Sequence, residues 1–465
     1  MSIVHFETLG CKLNQIESES ACKIFSDYGW QISVKPIQSQ NSIQEHDLID
    51  TKLCIVNTCT VTAKAEQKCR RTINLLLKKF SYSVVLVTGC YAQVEKNQIE
   101  KIDERVVVLP GEKKDFLAEL PKMLFNQNFS FDSSAAENAK KIRTLIDDGV
   151  KFTKTKFALS TDVFFNHSRS SIKIQDGCGN SCSFCRIHIA RGKPVSLAAS
   201  EVLDRVKKLE DAGQKEVVLT GVNLCQYRSE FPGKTGDFAD LLEYLNQNTS
   251  NINFRISSLY PQRIDQRFLD VLKDARVRPH FHLSVQSGSD KILDAMNRPY
   301  THDSVLKAVE NLRSVFENPF IACDIIAGFP GETDEDFEKT MELCSECNFS
   351  WIHAFPFSAR PGTPAYSMKN QVPQNIARKR MERLTELADT QKSSYVQSFV
   401  GKTVKAIMEK RQDRLSRCVT ENFLHAHVQL EEGVFPQDLW DQEINVKILG
   451  NSNLSECECE CKILH

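Results

Sequence analysis

The sequence predicts an α/β protein with three parts in series: an N-terminal parallel α/β domain, a central partial (β/α)6 barrel and a small C-terminal β-barrel. Three observations predict this order. Apolar runs alternate with amphipathic stretches over residues 1–115, six further strand–helix units follow, and the region beyond residue 400 holds only short strands. Alternating strands and helices are typical of parallel sheets, whereas closely spaced short strands form small barrels.

The N-terminal domain is predicted over residues 1–118. Its helices are expected at 14–28 and 63–80, because apolar residues recur there at helical spacing among Lys, Glu and Gln. Strands alternating with helices at this rhythm indicate a parallel sheet. The four predicted strands are 5–9, 53–57, 84–88 and 106–109.

A linker is predicted over residues 119–163, because this stretch is polar and has no clean period, above all at Phe131–Asn138. The central domain follows over 164–395. Six strand–helix units are too few for a complete eight-fold barrel but suit a curved, partly open one. The predicted strands are 172–175, 216–220, 253–257, 282–285, 322–327 and 351–355, and the clearest helices are 200–212, 303–316 and 334–347.

The C-terminal module is predicted over residues 396–465, after a charged helix at 375–398. Its segments alternate or run apolar between turns, which favours an all-β module, expected to be a five-stranded barrel. The candidate strands are 404–408, 425–430, 444–449 and 457–463. Cys457, Cys459 and Cys461 alternate along the last of these strands, so we expect an edge strand whose thiols point inward.

Charge and composition exclude several classes of protein. The chain has 59 Lys and Arg against 60 Asp and Glu, so it is not a globally basic nucleic-acid-binding protein, and any such contact must come from local patches. We find no membrane span and no signal peptide, and expect a cytoplasmic protein. Seventeen cysteines in a reducing compartment raise the odds of metal or iron–sulfur ligation.

The strongest motif is a C-x3-C-x2-C loop formed by Cys178, Cys182 and Cys185, directly after a predicted strand. Three thiolates on a four-iron cluster leave one iron open to an exogenous chelate. The alternative is a structural zinc site, which needs a fourth ligand that His188 could supply.

A second set of cysteines is dispersed along the N-terminal domain. Cys11, Cys59 and Cys90 each follow a predicted strand, and parallel strands bring their carboxyl ends to one edge of the sheet, where such folds bind ligands. We therefore expect the three thiols to converge and to suit another cluster with an open iron. The alternative is three unrelated buried thiols, which is how we interpret Cys22, Cys54 and Cys69.

The C-x3-C-x2-C loop resembles the signature of the radical S-adenosylmethionine (SAM) enzymes. Two cysteine triads followed by a β-barrel resemble the methylthiotransferase family, which has an N-terminal cluster domain, a radical SAM domain and a TRAM domain. The segments that most resemble the MtaB branch, whose substrate is N6-threonylcarbamoyladenosine in tRNA, are Thr8–Gln15, Asn57–Thr62, Leu219–Leu224 and Arg360–Pro364.

The resemblance implies two 4Fe–4S clusters and two SAM molecules per turnover. One cluster would generate a radical, and its ligands, which the resemblance makes the catalytic residues, would be Cys178, Cys182 and Cys185. The other, on the dispersed triad, would hold the sulfur that is inserted at carbon 2 of the adenine. The implied partner is a tRNA anticodon loop, together with an electron donor of unidentified kind.

Polar and glycine residues at the ends of barrel strands are the candidates for holding SAM, because active residues of such barrels lie at the carboxyl ends of strands. The alternative is that they only satisfy nearby backbone groups. The candidates are Gly221, Asn223, Ser284, Gln286, Asp324 and Gly328.

Four basic stripes are the candidates for RNA contact: 68–71, 78–79, 378–380 and 410–414. Each alone is a weak signal, because charge runs are usually solvated surface. Two alternatives stay open: methylthiolation of isopentenyl-adenosine or of a ribosomal protein, and a non-catalytic iron–sulfur or zinc RNA-binding protein. We expect a monomer.

Overall fold

The computed structural model describes residues 2–38, 45–147, 156–160, 170–410, 415–430 and 433–464. The N-terminal part is a five-stranded parallel sheet in the order β2-β1-β3-β4-β5. All four predicted strands and both predicted helices occur, with shifted ends. The strands are β1 Ile3–Thr8, β2 Gln31–Ser33, β3 Thr51–Thr58, β4 Val84–Gly89 and β5 Val106–Val108. The helices are α1 Lys12–Asp27, α2 Glu45–Asp50, α3 Ala63–Lys79, α4 Cys90–Val94, α5 Lys96–Glu100, α6 Phe116–Asn126 and α7 Ala135–Asp147.

The predicted linker at 119–163 is wrong over much of its length. Helices α6 and α7 lie within it, and Leu120, Ala139 and Ile142 are fully buried against α1 and the sheet. The apolar residues of α7 recur at helical spacing, and that spacing outweighs the polar composition around them. The parts at 148–155 and 161–163 lie outside the described residues.

The central part contains six strands that run parallel and lie side by side in sequence order. They form the runs β6-β8-β11 and β12-β13-β14, joined by a single bridge between Leu259 and Leu283. All six predicted strands are present. The strands are β6 Ser170–Asp176, β7 Val195–Ser196, β8 Glu216–Gly221, β9 Ser229–Phe231, β10 Lys234–Gly236, β11 Asn253–Ile256, β12 His280–Gln286, β13 Phe320–Ala327 and β14 Trp351–Pro356. The helices are α8 Ile187–Arg191, α9 Ala199–Asp211, α10 Phe238–Asn248, α11 Gln266–Asp274, α12 Asp290–Ala295, α13 His302–Val315, α14 Asp334–Cys347 and α15 Gln374–Gln397.

One face of these six strands packs against the helices. On β12, Phe281, Leu283 and Val285 belong to the core shared with the helices. Because strand side chains alternate between faces, His282 and Ser284 point to the opposite, concave side. The concave side at the carboxyl ends of the strands is therefore free to carry polar groups.

The C-terminal part is a closed five-stranded barrel in the order β15-β16-β17-β19-β18. Strand β16 was not predicted, because its segment is only four residues long. The prediction of an edge strand is also wrong, since β19 pairs with strands on both sides, although Cys459 and Cys461 are buried in the barrel core as expected. The strands are β15 Thr403–Met408, β16 Arg417–Thr420, β17 His425–Gln429, β18 Glu443–Asn451 and β19 Cys459–Ile463.

The C-terminal barrel docks against the amino ends of the central strands. The ring of His280, the first residue of β12, stacks on Phe423 at 3.9 Å between centroids. Beside it, the buried carboxylate of Glu216 accepts hydrogen bonds from Arg255 (2.7 and 2.8 Å) and Arg278 (3.1 Å), and Arg255 also donates to the carbonyl of Thr420 (3.2 Å). This interface leaves the carboxyl ends of the strands uncovered by the barrel.

We expect Glu216→Gln to destabilise the protein, because it leaves the buried guanidinium of Arg255 with an uncharged partner, whereas Arg278 keeps its ion pairs with Glu421 and Glu443. Removing one partner of a buried ion pair costs about 3–5 kcal/mol. The measurement is the midpoint of urea unfolding. The control is Glu338→Gln, whose exposed ion pair with Arg383 contributes about 0–1 kcal/mol. Equal shifts in the two variants would contradict the expectation.

Among the described residues, no helix is long and apolar enough to cross a membrane.

Candidate active site

The C-x3-C-x2-C loop begins where β6 ends. Gly177 has φ +79°, and a Cβ at this position would lie 2.1 Å from the carbonyl oxygen of Lys193, so only glycine fits. The loop is also held by Gln226, which lies in the turn after β8. The Gln226 side chain accepts from the amide of Gly179 (2.8 Å) and donates to the side chain of Asn180 (2.8 Å). The three cysteines are thus presented at the carboxyl edge of the central sheet.

Each sulfur of this loop accepts an N–H group. Cys178 Sγ accepts from the Asn180 amide at 3.4 Å, and Cys185 Sγ accepts from the Ile187 amide at 3.4 Å. Cys182 Sγ accepts from Arg298 at 3.1 Å. Cluster thiolates are tuned by hydrogen bonds of this kind, so the donor set fits a four-iron cluster.

The N-terminal triad lies at the carboxyl edge of its own sheet. Cys11 caps α1 after β1, Cys59 follows β3, and Cys90 begins α4 after β4. Strands β1 and β3 flank the point where the strand order reverses, and open α/β sheets bind ligands at such a point. The predicted placement of all three cysteines at one sheet edge is therefore confirmed.

Two glycines let these loops approach one another. Gly10 has φ +114°, and a Cβ there would lie 3.1 Å from the sulfur of Cys59. Gly89 has φ +99°, and its Cβ would lie 2.4 Å from the carbonyl oxygen of Thr58. Any larger residue would push the cysteine loops apart.

The thiols of each triad are close enough to influence one another electrostatically. Burial, together with the thiols of Cys90 and Cys11, raises the pKa of Cys59 to about 11. Burial and the thiols of Cys182 and Cys178 likewise raise the pKa of Cys185 to about 12. Metal ligation would therefore release protons from these thiols, and affinity for the metal should fall with acidity.

Arg191 joins the two triads. It lies on α8, directly after the C-x3-C-x2-C loop, and donates to Asn14 (2.8 Å) on the helix that Cys11 caps. It also forms ion pairs with Asp176 (3.0 Å) and Glu17 (3.3 Å). Burial lowers the pKa of Arg191, but Asp176, Cys90, Glu17 and Cys11 together hold it well above its usual value. The edge that carries one triad therefore faces the edge that carries the other.

A second bridge is built on the carboxylate of Glu66. It accepts from Thr60, the residue after Cys59, and pairs with Arg186, the residue after Cys185, at 3.1 Å. Arg360, which follows β14, pairs with the same oxygen. One carboxylate thus fixes the positions of both cysteine loops.

In the part of the chain that the structure describes, no three His, Cys, Asp or Glu side chains lie close enough together to hold a single metal ion. Each thiolate of a four-iron cluster binds a different iron, so a cluster needs its ligands further apart than zinc does. His188, the candidate fourth zinc ligand, has a buried Nδ1 without a hydrogen-bond partner.

Two predicted SAM-binding residues lie beside the cysteine loop. Gly221 ends β8, and Asn223 follows it with its side-chain nitrogen 3.7 Å from Cys178 Sγ. Gln175 fixes this turn, because its side-chain oxygen Oε1 accepts from the backbone amide of Asn223 at 2.8 Å.

The other four candidates are spread more widely. Ser284 lies on the concave face, and its carbonyl accepts from Arg298 at 3.2 Å. Gln286 is buried at the end of β12 with φ +72°. Asp324 pairs with His282 at 3.0 Å, and Gly328 donates to Glu332 and packs against α15.

The basic stripes differ in their availability. Lys68, Arg71 and Lys78 are exposed on α3, as are Arg378 and Lys379 on α15. Arg380 is buried and ion-paired with Glu332 and Asp334, so the prediction that it contacts RNA is wrong. Residues 411–414 of the fourth stripe lie outside the described residues.

Sequence reasoning missed Arg298, together with Tyr260 and Tyr300, which surround its guanidinium. Its contact with Cys182 joins residues 116 positions apart, and no spacing pattern indicates such a pair. The role of Glu66 was missed for the same reason, since its partners come from distant loops.

Comparison with known proteins agrees with this geometry. Residues 172–344 match the model of the Radical SAM superfamily, and residues 3–111 match Uncharacterized protein family UPF0004. A radical SAM methyltransferase, TsrM from Kitasatospora setae, superposes with a TM-score of 0.53 at 13% identity, over 78% of this chain and 75% of that one. That likeness concerns the fold alone. Together with the cysteine loop, these matches define a radical SAM enzyme.

Full-length relatives narrow the class. The chain is 41% identical to the threonylcarbamoyladenosine tRNA methylthiotransferase MtaB of Treponema pallidum, over 93% of this chain and 96% of that protein. The corresponding protein of Thermotoga maritima is 32% identical, with coverage of 88% and 87%. A tRNA-2-methylthio-N(6)-dimethylallyladenosine synthase of Anaplasma marginale is 30% identical, with coverage of 87% and 84%. The chain belongs to the MtaB family of threonylcarbamoyladenosine tRNA methylthiotransferases.

Proposed function

We propose that this protein inserts a methylthio group at carbon 2 of N6-threonylcarbamoyladenosine, next to the anticodon of tRNA. The observation that carries the proposal is the pair of cysteine triads on two facing sheet edges, joined by Arg191. This arrangement provides two places for a cluster on either side of one junction. The resemblance to the MtaB relatives supports the choice of base.

Carbon 2 of adenine demands an unusual reagent, because its C–H bond is neither acidic nor open to ordinary substitution. When bound, a reduced cluster with SAM on its open iron supplies a 5′-deoxyadenosyl radical for this purpose. Cys178, Cys182 and Cys185 would hold that cluster, and Gly221 and Asn223 would lie beside the SAM.

The N-terminal triad has the second task. Cys11, Cys59 and Cys90 would hold another four-iron cluster, which would supply the inserted sulfur, and a second SAM would supply the methyl group. Arg191 and Glu66 keep the two cysteine loops in register, so that the reacting groups meet in a fixed geometry. Two of the three N-terminal thiols are buried, which keeps water from a reactive intermediate.

The partner we propose is the anticodon loop, whose unpaired bases can be splayed out and read. In the terms of the family, we propose that the three parts of the fold correspond to the methylthiotransferase, radical SAM and TRAM domains. We propose that the protein works as a monomer in the cytoplasm, supplied with electrons by a separate donor.

Mass spectrometry of nucleosides tests the proposal. A strain that lacks the gene should lose 2-methylthio-N6-threonylcarbamoyladenosine from its tRNA and accumulate N6-threonylcarbamoyladenosine. Loss of 2-methylthio-isopentenyl-adenosine instead would assign the other tRNA substrate. Unchanged tRNA with an altered ribosomal protein would overturn the RNA proposal, and purified protein that never cleaves SAM would indicate a non-catalytic RNA-binding protein.

We expect binding of tRNA to weaken steeply with salt, because a near-neutral protein must hold phosphates through local cations. A protein with three phosphate contacts on single strands loses about twentyfold in affinity between about 50 and 200 mM salt. Replacing Lys68 and Arg71 with Ala should reduce the slope, while Lys273→Ala on α11 serves as an exposed control. An affinity that is flat with salt would contradict an RNA substrate.

A further inference from the structure

Arg298 lies where the turn after α12 passes the C-x3-C-x2-C loop. One guanidinium nitrogen, Nη1, donates both to Cys182 Sγ (3.1 Å) and to the hydroxyl of Tyr260 (3.0 Å). The Nε atom donates to the hydroxyl of Tyr300 (2.6 Å), and Nη2 donates to the carbonyl of Ser284 (3.2 Å). Every nitrogen of the side chain therefore has a defined acceptor.

The guanidinium is also held between two aromatic rings. Its carbon lies 4.5 Å from the ring centre of Tyr260 and 5.2 Å from that of Tyr300. Within the described residues, no carboxylate forms an ion pair with Arg298. Its positive charge therefore has no anionic partner of its own other than the sulfurs of the cysteine loop.

We propose that Arg298 is a positioning residue that raises the reduction potential of the cluster on Cys178, Cys182 and Cys185. Reduction adds one electron to the cluster from an external low-potential donor, and no bond is made or broken in the protein. The added negative charge is stabilised by a cation that donates a hydrogen bond to a ligating sulfur. The inference rests on the proposed function, since it needs a cluster in this loop.

Lysine should replace Arg298 only in part. A lysine retains the charge, but it cannot reproduce the planar fork that reaches Cys182, Tyr300 and Ser284 together. The proposal therefore predicts an order of potentials: the parent protein highest, Arg298→Lys lower and Arg298→Met lowest.

The test is a redox titration of a full-length chain that carries only this cluster. Cys11, Cys59 and Cys90 are replaced by Ala, the protein is reconstituted anaerobically with iron and sulfide, and the paramagnetic signal is followed during reduction by dithionite. Arg298→Met should make reduction at least tenfold less favourable, which corresponds to about 59 mV for a one-electron couple. The control is Arg313→Met, which removes an exposed arginine that donates to the backbone carbonyls of Cys347 and Asn348.

Iron content separates the possible outcomes. A parent chain that binds no cluster contradicts the proposed function itself. The role of Arg298 alone is overturned if the parent binds a cluster and Arg298→Met has the same iron content with an unchanged or higher reduction potential. If Arg298→Met loses its iron, Arg298→Lys is titrated in its place. A reduction potential of the Lys variant below those of both the parent and the control supports the proposal. A reduction potential equal to the parent's overturns it.

Discussion

Cys182→Ala should abolish the cleavage of SAM, with 5′-deoxyadenosine falling to the level found without protein. Cys182 is buried and lies between the other two thiols of its loop, with Arg298 bonded to its sulfur. Removing one of three ligands leaves the cluster held by two, so the anaerobically reconstituted variant should hold about four irons fewer per chain. The measurements are iron content and chromatography of 5′-deoxyadenosine after reduction.

A buried cysteine elsewhere is the matched control for this variant. Cys344 is fully buried on α14 and belongs to the apolar core of the central domain. Cys344→Ala leaves a small cavity, which affects stability, but it should leave iron content and SAM cleavage unchanged. Undiminished 5′-deoxyadenosine from the Cys182 variant would show that the loop does not carry the radical chemistry.

The two triads could be found from the sequence for different reasons. Cys178, Cys182 and Cys185 are close together in the chain, so a single loop brings them together. The N-terminal cysteines are far apart, but each directly follows an apolar run that had to be a strand, and a parallel sheet aligns strand ends. Topology alone therefore predicts that three distant residues form one group, and in the structure Cys11, Cys59 and Cys90 each follow a strand at the carboxyl edge of the same sheet.

What the sequence could not supply depends on tertiary contact. Helix α7 was taken for a linker because its flanks are polar, although Ile142 and Ile146 are buried against the N-terminal sheet. Arg380 looked like one of three exposed cations in a row. Successive residues of a helix are rotated by about 100°, so neighbours in sequence do not share a face, and Arg380 faces Glu332. Arg298 had no sequence signal of its own, since its contacts with Cys182, Tyr260 and Ser284 all come from distant parts of the chain and only Tyr300 is a near neighbour.

Buried charges hold the junction between the two sheet edges together. Glu17, Asp176, Lys173 and Arg191 form one group of ion pairs, and Glu66 and Arg186 contribute to another. Burial of these charges is costly unless every member is paired, so each group tolerates few alternative arrangements. A fixed arrangement of the two edges would suit the proposed reaction, in which a radical and a sulfur donor must meet in a defined geometry.

Cys59→Ala should separate the two halves of the reaction: SAM is still cleaved, but no methylthio product forms. Cys59 lies at the sheet edge opposite the C-x3-C-x2-C loop. Its replacement would remove one of the three proposed ligands of the N-terminal triad, while Cys178, Cys182 and Cys185 remain. We expect about four irons fewer per chain. The measurements are 5′-deoxyadenosine and the methylthiolated nucleoside from the same reaction with tRNA.

The matched control for Cys59 lies on the strand that precedes it. Cys54 is fully buried on β3 within the apolar core beneath α3, and burial raises the pKa of its thiol to about 12. Cys54→Ala should still form both 5′-deoxyadenosine and the methylthiolated nucleoside. A comparison of the two variants therefore distinguishes the loss of a cluster ligand from the loss of a buried packing residue. Methylthiolated nucleoside from the Cys59 variant would mean that the inserted sulfur does not come from this triad. Loss of SAM cleavage in Cys59→Ala, but not in Cys54→Ala, would mean that the N-terminal triad is also needed for the radical step.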